Sequence, residues 1–442
     1  MAIILALDIG TSKISAMGFD VQSETVLSMV AAENRADIIG LPNKKSEQNP
    51  VIIYQQCLEL LYQLVDQLRD QLGEIKAIAI SGQMHGVLLV NQQVEPLTNF
   101  ITWCDRRAEY LTEQIDRSAW GVERSGCYLH PGYGGATLAV LAANGKIPIG
   151  ATALTIADYI AAKLSGIIAT EPTHAASWGI MNLKNGDWDR AIVEQLKIPQ
   201  AVLPKILPSL TLLGQVLPQS KLPPQIAVYS PIGDNQASFI GTCGLDNKSL
   251  LLNLGTGGQI SLFCREFSVY DELETRPLPN GGYLLVGASL CGGRSYAILK
   301  DFFKRTIACF TDQELSDADL YKTMHGLALD ADLPLTVETA FAGSRLSPDK
   351  CGTISKINVD NFTPENLIKG TMSGMISELK AMLPQASDYE KVMASGNAVR
   401  KNSLVQQLIS QEFGMKCEVA QNREEAAYGA AMVVAAKIQG KS

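Results

Sequence analysis

The stretch Ile3-Ile4-Leu5-Ala6-Leu7-Asp8-Ile9-Gly10-Thr11-Ser12 decides how the chain is read. Its first five residues are apolar without a break, the pattern of a strand covered on both faces of a sheet. Asp8 ends that run, and small polar residues follow at a tight turn. Alternation resumes at Ile14, Ala16 and Gly18, so the unit is strand, turn, strand: a β-hairpin. A turn of small residues lets backbone N–H groups approach phosphate oxygens, and the hydroxyls of Thr11 and Ser12 add donors. Asp8 is placed to hold a Mg²⁺ through water, since that cation keeps most of its hydration shell. An ordinary hairpin with a buried or capping Asp has the same local signature, so the motif takes its meaning from what accompanies it.

Outward from the hairpin, Ile52, Leu58, Leu61, Leu64, Val65 and Leu68 recur at helical spacing and predict a helix from about Val51 to Leu72. Residues 75–80 predict a strand that enters Ser81-Gly82-Gln83-Met84-His85-Gly86. Strands interleaved with helices indicate the α/β class. The pattern then recurs. Residues 226–229 form a strand leading into Pro231-Ile232-Gly233-Asp234-Asn235-Gln236, and residues 250–254 form another that ends in Gly255-Thr256-Gly257-Gly258 before the chain returns. This second hairpin again has a Gly-Thr centre, so the architecture reads as duplicated. The Pro-rich stretch from Pro204 to Pro224 reads as a connecting segment, which puts a boundary near residue 230 and gives lobes of residues 1–230 and 231–442. The last third reads as helical over 366–383, 402–413 and the small-residue run 424–437.

A chain of 442 residues exceeds what one core usually holds, in agreement with two domains. With 46% hydrophobic and 19% charged residues it is globular rather than disordered. A net charge of −8 offers no long-range attraction for nucleic acid or an anionic membrane, so neither is an expected partner, and an anion such as ATP has to be held locally. Nine Cys without a Cys-x-x-Cys pair, and four scattered His, do not suggest a metal cage and fit reduced, mostly buried thiols. Residues 1–7 lack a basic leader and a cleavage site, and the apolar run 426–436 is too short to span a bilayer; the expectation is a cytoplasmic protein.

Four segments can carry chemistry. Gly255-Thr256-Gly257 offers a second cradle of backbone donors, and two such turns facing across a cleft would clamp one polyphosphate. Asp234 follows a strand and opens a helix, where a carboxylate can accept the proton of an attacking alcohol in phosphoryl transfer; the same position suits a helix N-cap. Gln83 and His85 flank Met84, and polar groups around one apolar contact suit a polyol, although a structural histidine fits as well. Trp103-Cys104-Asp105-Arg106-Arg107 supplies an aromatic wall, an acceptor and donors, or else a solvated helix start with Asp105 as its first-turn charge.

Taken in order, these segments resemble the FGGY carbohydrate kinases, a branch of the actin/Hsp70-like ATPase superfamily, over nearly the whole chain. The resemblance is carried by Asp8-Ile9-Gly10-Thr11-Ser12, Gly82-Gln83-Met84-His85-Gly86, Trp103-Cys104-Asp105-Arg106-Arg107, Gly233-Asp234-Asn235-Gln236-Ala237, Leu254-Gly255-Thr256-Gly257 and Ser395-Gly396-Asn397. It implies an α/β protein of two RNase H-like (actin/Hsp70-type) lobes, each a mixed β-sheet flanked by helices, with a central cleft where Mg-ATP and a sugar meet. It implies that Asp234 is the base that activates a terminal hydroxyl, with Asp8 and Asp234 near the Mg²⁺. Gln83, Met84, His85, Asp105, Arg107 and Asn235 would line the sugar site. Gly10, Thr11, Ser12, Lys13, Gly255, Thr256, Gly257, Gly396 and Asn397 would hold the nucleotide.

Two departures stand out. The family commonly has a basic residue at the position of Ser15; Lys13, two residues earlier on a strand, points to the same face and can replace it. The adenosine loop, usually a run of glycines, reads Gly396-Asn397-Ala398. Within the family, the segments at 133–137, 175–179, 287–290 and 343–346 look most similar to members acting on sedoheptulose. A pentulose, D-xylulose or D-ribulose, is the alternative acceptor, and a non-catalytic ATP-binding scaffold is the alternative of another class. The expected partners are a ketose and ATP, with the oligomeric state, monomer or homodimer, left open.

Overall fold

The structure of the chain is a computed structural model that describes residues 2–115, 120–244, 248–344, 347, 349–384, 389–400 and 402–441; Arg345 and Leu346, in one of the quoted segments, lie outside it. The opening hairpin forms as its pattern requires. β1 (Ile3–Ile9) and β2 (Lys13–Asp20) pair antiparallel, from Ile3 opposite Asp20 to Ile9 opposite Ile14. β3 (Thr25–Glu33) extends the meander, while β4 (Ile75–Gly82) lies parallel to β1 on its other side. A parallel neighbour needs a crossover, and α1 (Pro50–Gln67) supplies it. Asn49 caps α1 by accepting from the Val51 and Ile52 amides, with Pro50 in the first turn. The helix stops at Gln67 and the chain continues as a 3₁₀ segment, Arg69–Glu74, so the predicted helix is shorter than its apolar spacing suggested.

β5 (Leu212–Gln215), β6 (Ala227–Tyr229) and β7 (Ile232–Gly233) complete the first sheet, whose order is β5-β6-β4-β1-β2-β3 with β7 also on β4. The Pro-rich stretch therefore does more than connect. Its prolines fall outside Leu212–Gln215, and an edge strand needs ladder bonds on one side only. The second sheet, β8 (Ser249–Leu254), β9 (Gly258–Cys264), β10 (Glu274–Pro277), β11 (Tyr283–Ser289), β12 (Lys391–Ser395) and β13 (Lys416–Val419), has the order β10-β11-β9-β8-β12-β13. In both sheets an antiparallel meander (β1-β2-β3, β8-β9-β11) is followed by two parallel strands (β4 and β6, β12 and β13). The duplication read from two Gly-Thr turns is a duplication of sheet topology.

The run Ile3–Leu7 of β1 is apolar because both of its faces are covered. Ile3, Leu5, Leu7 and Ile9 pack with Ile53, Leu60, Leu61 and Leu64 of α1. Ile4 and Ala6 face the other way. They share one core with Ala237 and Ile240 of α5 (Asp234–Cys243), Ala427, Ala430 and Val434 of α9 (Glu425–Ile438), and Leu251 and Leu284 of the second sheet. The pair α5 and α9 thus lies between the two sheets. The far face of the second sheet, Leu250, Leu252 and Leu254, packs on Ile368, Met372 and Ile376 of α8 (Pro364–Ala381). A separate core inserted in the N-terminal half carries α2 (Gly134–Ala143) and buries Trp120, Trp178 and Trp188, with Trp178 stacked on Trp188 at 5.4 Å. α3 (Ile156–Ser165) returns to the first sheet, and α4 (Pro172–Ala176) lies between that core and β7.

Cys57, Cys127, Cys243 and Cys291 are buried, while Cys104, Cys309 and Cys351 are exposed, so burial is less general than expected. Among the described residues no helix is long and apolar enough to cross a membrane.

Between the sheets, α5 and α9 touch backbone to backbone. A Cβ on Gly429 would sit 1.9 Å from the Ala237 carbonyl oxygen, and one on Gly241 would sit 2.0 Å from that of Glu425. Gly429→Ala must push the helices apart, and overpacking of this kind costs about 2–3 kcal/mol. We expect a lower urea midpoint for that variant. Gly326→Ala serves as the control. In α7 (Asp317–Asp330) a Cβ at 326 meets nothing within 4 Å, so helix propensity alone acts, and stability rises by about 0.5–1 kcal/mol. Equal shifts in the two variants would refute a tight crossing.

Candidate active site

Three parallel strands end at one edge. Asp8 on β1 is in register with Ser81 on β4, and Ile9 with Gly82; on β7, Ile232 faces Ser81 and Gly233 faces Gly82. Asp8, the Gln83–His85 loop and Asp234 therefore leave the first sheet together at its carboxyl edge, where open α/β sheets place ligands. Ser81 Oγ donates to Asp8 Oδ1 at 2.8 Å. Met84 is buried against the turn that carries Asp234, its Sδ 2.7 Å from where a Gly233 Cβ would stand. Gly233 takes the cap position of α5 and Asp234 the first helical position, so Asp234 is not the N-cap.

The electrostatics suit a proton acceptor. Burial raises the Asp234 carboxyl to about 7, the Asp8 carboxylate adds to the rise, and Arg276 and the Asn235 amide act against it. Burial likewise raises Asp8 to about 6, with Ser81 lowering it, Glu424 raising it and Lys13 lowering it. A carboxylate whose pKa lies near neutral pH both accepts and holds a proton at working conditions.

Arg276, on β10, is buried beside Asp234. Its burial disfavours the charge, and Glu274, Tyr133 and Cys127 together more than offset that. Arg276 Nη1 donates to Asn235 Oδ1 at 3.2 Å, and Nη2 to Glu274 Oε2 at 2.6 Å. Glu274 Oε1 in turn accepts the Tyr133 hydroxyl at 2.6 Å, and Tyr133 stacks on His85 with ring centroids 4.2 Å apart. His85 has φ 71°, the left-handed region. Two contacts hold it there: its N–H donates to Ser177 Oγ at 3.0 Å, and Nδ1 lies 2.7 Å from the Ser177 carbonyl. A carbonyl only accepts, so Nδ1 carries the hydrogen, and in the neutral ring Nε2 is the acceptor.

The two Gly-Thr turns share one hydrogen-bond logic. In the first, the carbonyls of Gly10, Thr11 and Ser12 accept from Asn34 Nδ2, Gln48 Nε2 and the Asn34 amide. In the second, the carbonyls of Gly255 and Thr256 accept from the amides of Gly293 and Arg294, at the start of α6 (Gly292–Phe310). A trans peptide points its N–H opposite to its C=O. Anchoring those carbonyls therefore turns the N–H groups of Thr11, Ser12, Thr256 and Gly257 the other way, as a phosphate cradle requires.

A chain of contacts links the turns. Lys13 Nζ meets Glu424 Oε1 at 2.6 Å, and Glu425 meets Arg400 Nη2 at 2.7 Å. Arg400 follows Gly396, whose φ is 96° and where a Cβ would stand 2.4 Å from the Leu254 carbonyl oxygen. Only glycine fits there, so this loop keeps its glycine at the position where the geometry demands it. Asn397 opens the short helix Asn397–Arg400. Ser15, opposite Asp8 in the ladder, is wholly buried, whereas Lys13 is half-exposed and paired.

Asp105 and Arg107 are placed differently from Gln83 and His85. Asp105 is fully buried; Oδ1 accepts from the Arg107 amide at 2.9 Å and Nε at 2.8 Å, and Oδ2 from Nη2 at 2.9 Å and the Ser46 amide at 2.8 Å. Arg107 also pairs with Glu47 at 2.5 Å. The next residue, Gln48, accepts from Gln83 Nε2 at 2.9 Å, and Gln83 Oε1 accepts the Thr11 hydroxyl at 3.1 Å. The Asp105–Arg107 bracket thus stands behind the wall formed by Gln48 and Gln83, while Trp103 Nε1 donates to Thr11 Oγ1 at 2.9 Å.

Reading the sequence alone overlooked Gln48, Glu274, Arg276 and Glu424. The only local hint was Glu-Thr-Arg at 274–276, which puts opposite charges on one face of a strand. Among the described residues no three His, Cys, Asp or Glu side chains gather as a metal site. Two neighbouring carboxylates, Asp8 and Asp234, instead fit a largely hydrated Mg²⁺ that arrives on phosphate.

Residues 3–241 match the N-terminal domain of the FGGY family of carbohydrate kinases, and residues 268–438 match its C-terminal domain. The chain is 26% identical to human sedoheptulokinase, over 98% of this chain and 97% of that one. It is 23% identical to the xylulose kinase of Staphylococcus xylosus, over 98% and 91%. Gluconate kinase from Lactobacillus acidophilus superimposes with a TM-score of 0.85 at 22% identity, covering 100% of this chain and 90% of that one. The two lobes, the paired hairpins and both domain matches agree, and the chain belongs to the FGGY family of carbohydrate kinases, the ATP-dependent sugar kinases.

Proposed function

We propose that the chain transfers the γ-phosphate of ATP to the terminal hydroxyl of a ketose, sedoheptulose first, with D-xylulose or D-ribulose as the alternative. The observation that carries the reaction is the carboxylate of Asp234 at the carboxyl edge of the first sheet, raised to about 7 beside Asp8 and Arg276. The heptulose is supported by the human relative and by two pocket-wall segments. Tyr133, in segment 133–137, stacks on His85, and Ser177, in segment 175–179, holds that ring.

In this reading residues 1–230 hold the sugar and residues 231–442 most of the nucleotide. Asp234 accepts the proton of the attacking hydroxyl. Asn235, Gln83, Met84 and His85 contact the sugar, with Asp105 and Arg107 bracing the wall behind them. The N–H groups of Thr11, Ser12, Thr256 and Gly257 receive phosphate oxygens, and Gly10 and Gly255 let the backbone come close. Lys13 exchanges Glu424 for phosphate, and Gly396 and Asn397 flank the adenosine. Mg²⁺, when bound near Asp8 and Asp234, supplies neutralising charge on the phosphates. Closure of the lobes keeps water from the transferred group.

A panel of ketoses read by ADP release tests the acceptor: sedoheptulose should give the highest kcat/KM, and a pentulose that exceeds it would replace it. Asp234→Ala should abolish turnover with ATP binding retained. In the wild type, kcat/KM for the sugar should rise with pH through about 7, because the base works only after losing its proton. Turnover near the wild-type level in Asp234→Ala rules out the role. Asp8→Ala should raise the Mg²⁺ concentration needed for half-maximal activity; an unchanged requirement would remove Asp8 from the metal site.

A further inference from the structure

β7 carries the proposed base yet is only two residues long, Ile232–Gly233, and pairs with β4 alone. Two such residues do little to fix the direction in which Asp234 leaves the sheet. The missing restraint comes from α4. The Gly233 N–H donates to Thr173 Oγ1 at 2.7 Å. That oxygen is itself oriented: the Thr173 hydroxyl donates to Glu171 Oε1, so its lone pairs are what face Gly233. Glu171 is the N-cap of α4, accepting the His174 amide at 3.0 Å, and its Oε2 takes the Ser209 hydroxyl at 2.5 Å. Glu171 and Thr173 are both 0% exposed.

The other end of α4 grips the sugar side. Ser177 is its C-cap. Its hydroxyl donates to the His174 carbonyl at 2.7 Å and accepts the His85 amide at 3.0 Å, and its carbonyl takes His85 Nδ1–H at 2.7 Å. Trp178 Nε1 then donates to the Gly86 carbonyl at 3.2 Å, tying down the far side of the same loop. Thr173 and Ser177 lie four residues apart, about 6 Å along a helix axis.

We infer that α4 is a rigid spacer setting the distance between the base and the sugar, with Thr173 the positioning residue for Asp234 and Ser177 the positioning residue for His85. The inference rests on reading Asp234 as the base and His85 as a sugar contact. The two ends have different kinetic signatures. Losing the Thr173 oxygen frees the strand before Asp234, which harms the chemical step. Losing the Ser177 hydroxyl frees the His85 loop, which harms sugar binding.

The test uses the full chain with its best ketose. Thr173→Val, nearly isosteric, should lower kcat by roughly 10- to 100-fold, the size expected of a slightly misplaced group, with the sugar KM within about threefold. Thr173→Ser, which restores the acceptor, should recover kcat to within about threefold. Ser177→Ala should show the opposite split, a sugar KM raised roughly tenfold with kcat within about threefold. Should Thr173→Val not accumulate as folded protein, Thr173→Cys, with a poorer acceptor, carries the same expectation. A kcat near the wild-type value in the Val or Cys variant overturns the inference. So does a loss that Thr173→Ser fails to recover, or the same split at both ends. Asp234→Asn, assayed alongside, separates the two readings. If it is inactive while Thr173→Val is normal, only the spacer fails; if it keeps turning over, the base assignment fails and the spacer with it.

Discussion

α5 and α9 cross between two sheets with backbone against backbone, and both sides of the cleft are hung on that crossing. α5 begins at Asp234, and Glu424, the partner of Lys13, immediately precedes α9. Because glycines at 241 and 429 let the two axes approach so closely, the layer is thin enough for β1 and β8 to bury residues against the same pair of helices. A larger side chain at the crossing would displace Asp234 and the partner of Lys13 together. Stability and site geometry are thus one constraint rather than two.

That arrangement brings acidic groups together. Asp8 and Asp234 share one edge of the first sheet, and burial raises both. Arg276, paired with Glu274, acts against the rise at Asp234, and Lys13 acts against it at Asp8. The result is a site short of positive charge. In the proposed function, overall acidity is no obstacle to binding ATP, because recognition is local. Carbonyls of both turns are tied into the protein, and the opposed N–H groups turn the other way.

Polar side chains that look like ligand contacts in a sequence divide into those aimed at the cleft and those holding others in place. Gln83 bonds both Gln48 and Thr11, so the Gln83–His85 loop and the first Gly-Thr turn are mechanically joined. Asp105 has both oxygens filled from within the chain and supports that junction from behind. A kinase that brings two substrates to one line benefits from such coupling, since movement of one wall carries the other with it.

The sequence by itself determined the local elements and their repetition. The unbroken apolar run before Asp8, the small residues of both turns and the strand–helix alternation each have a nearest-neighbour cause, so they can be read from residues a few positions apart. The helices at 366–383, 402–413 and 424–437 were legible within a few residues for the same reason. Tertiary structure alone decided that Asp234 stands beside Asp8, that Arg276 and Glu274 join Asn235 to Tyr133, and that Thr173 reaches Gly233 across sixty positions. It also decided that residues 212–215 form an edge strand inside a Pro-rich stretch. Pairing across such separations depends on sheet order and helix crossing, which no short window encodes, because the partners meet only after both sheets have closed on the helices between them.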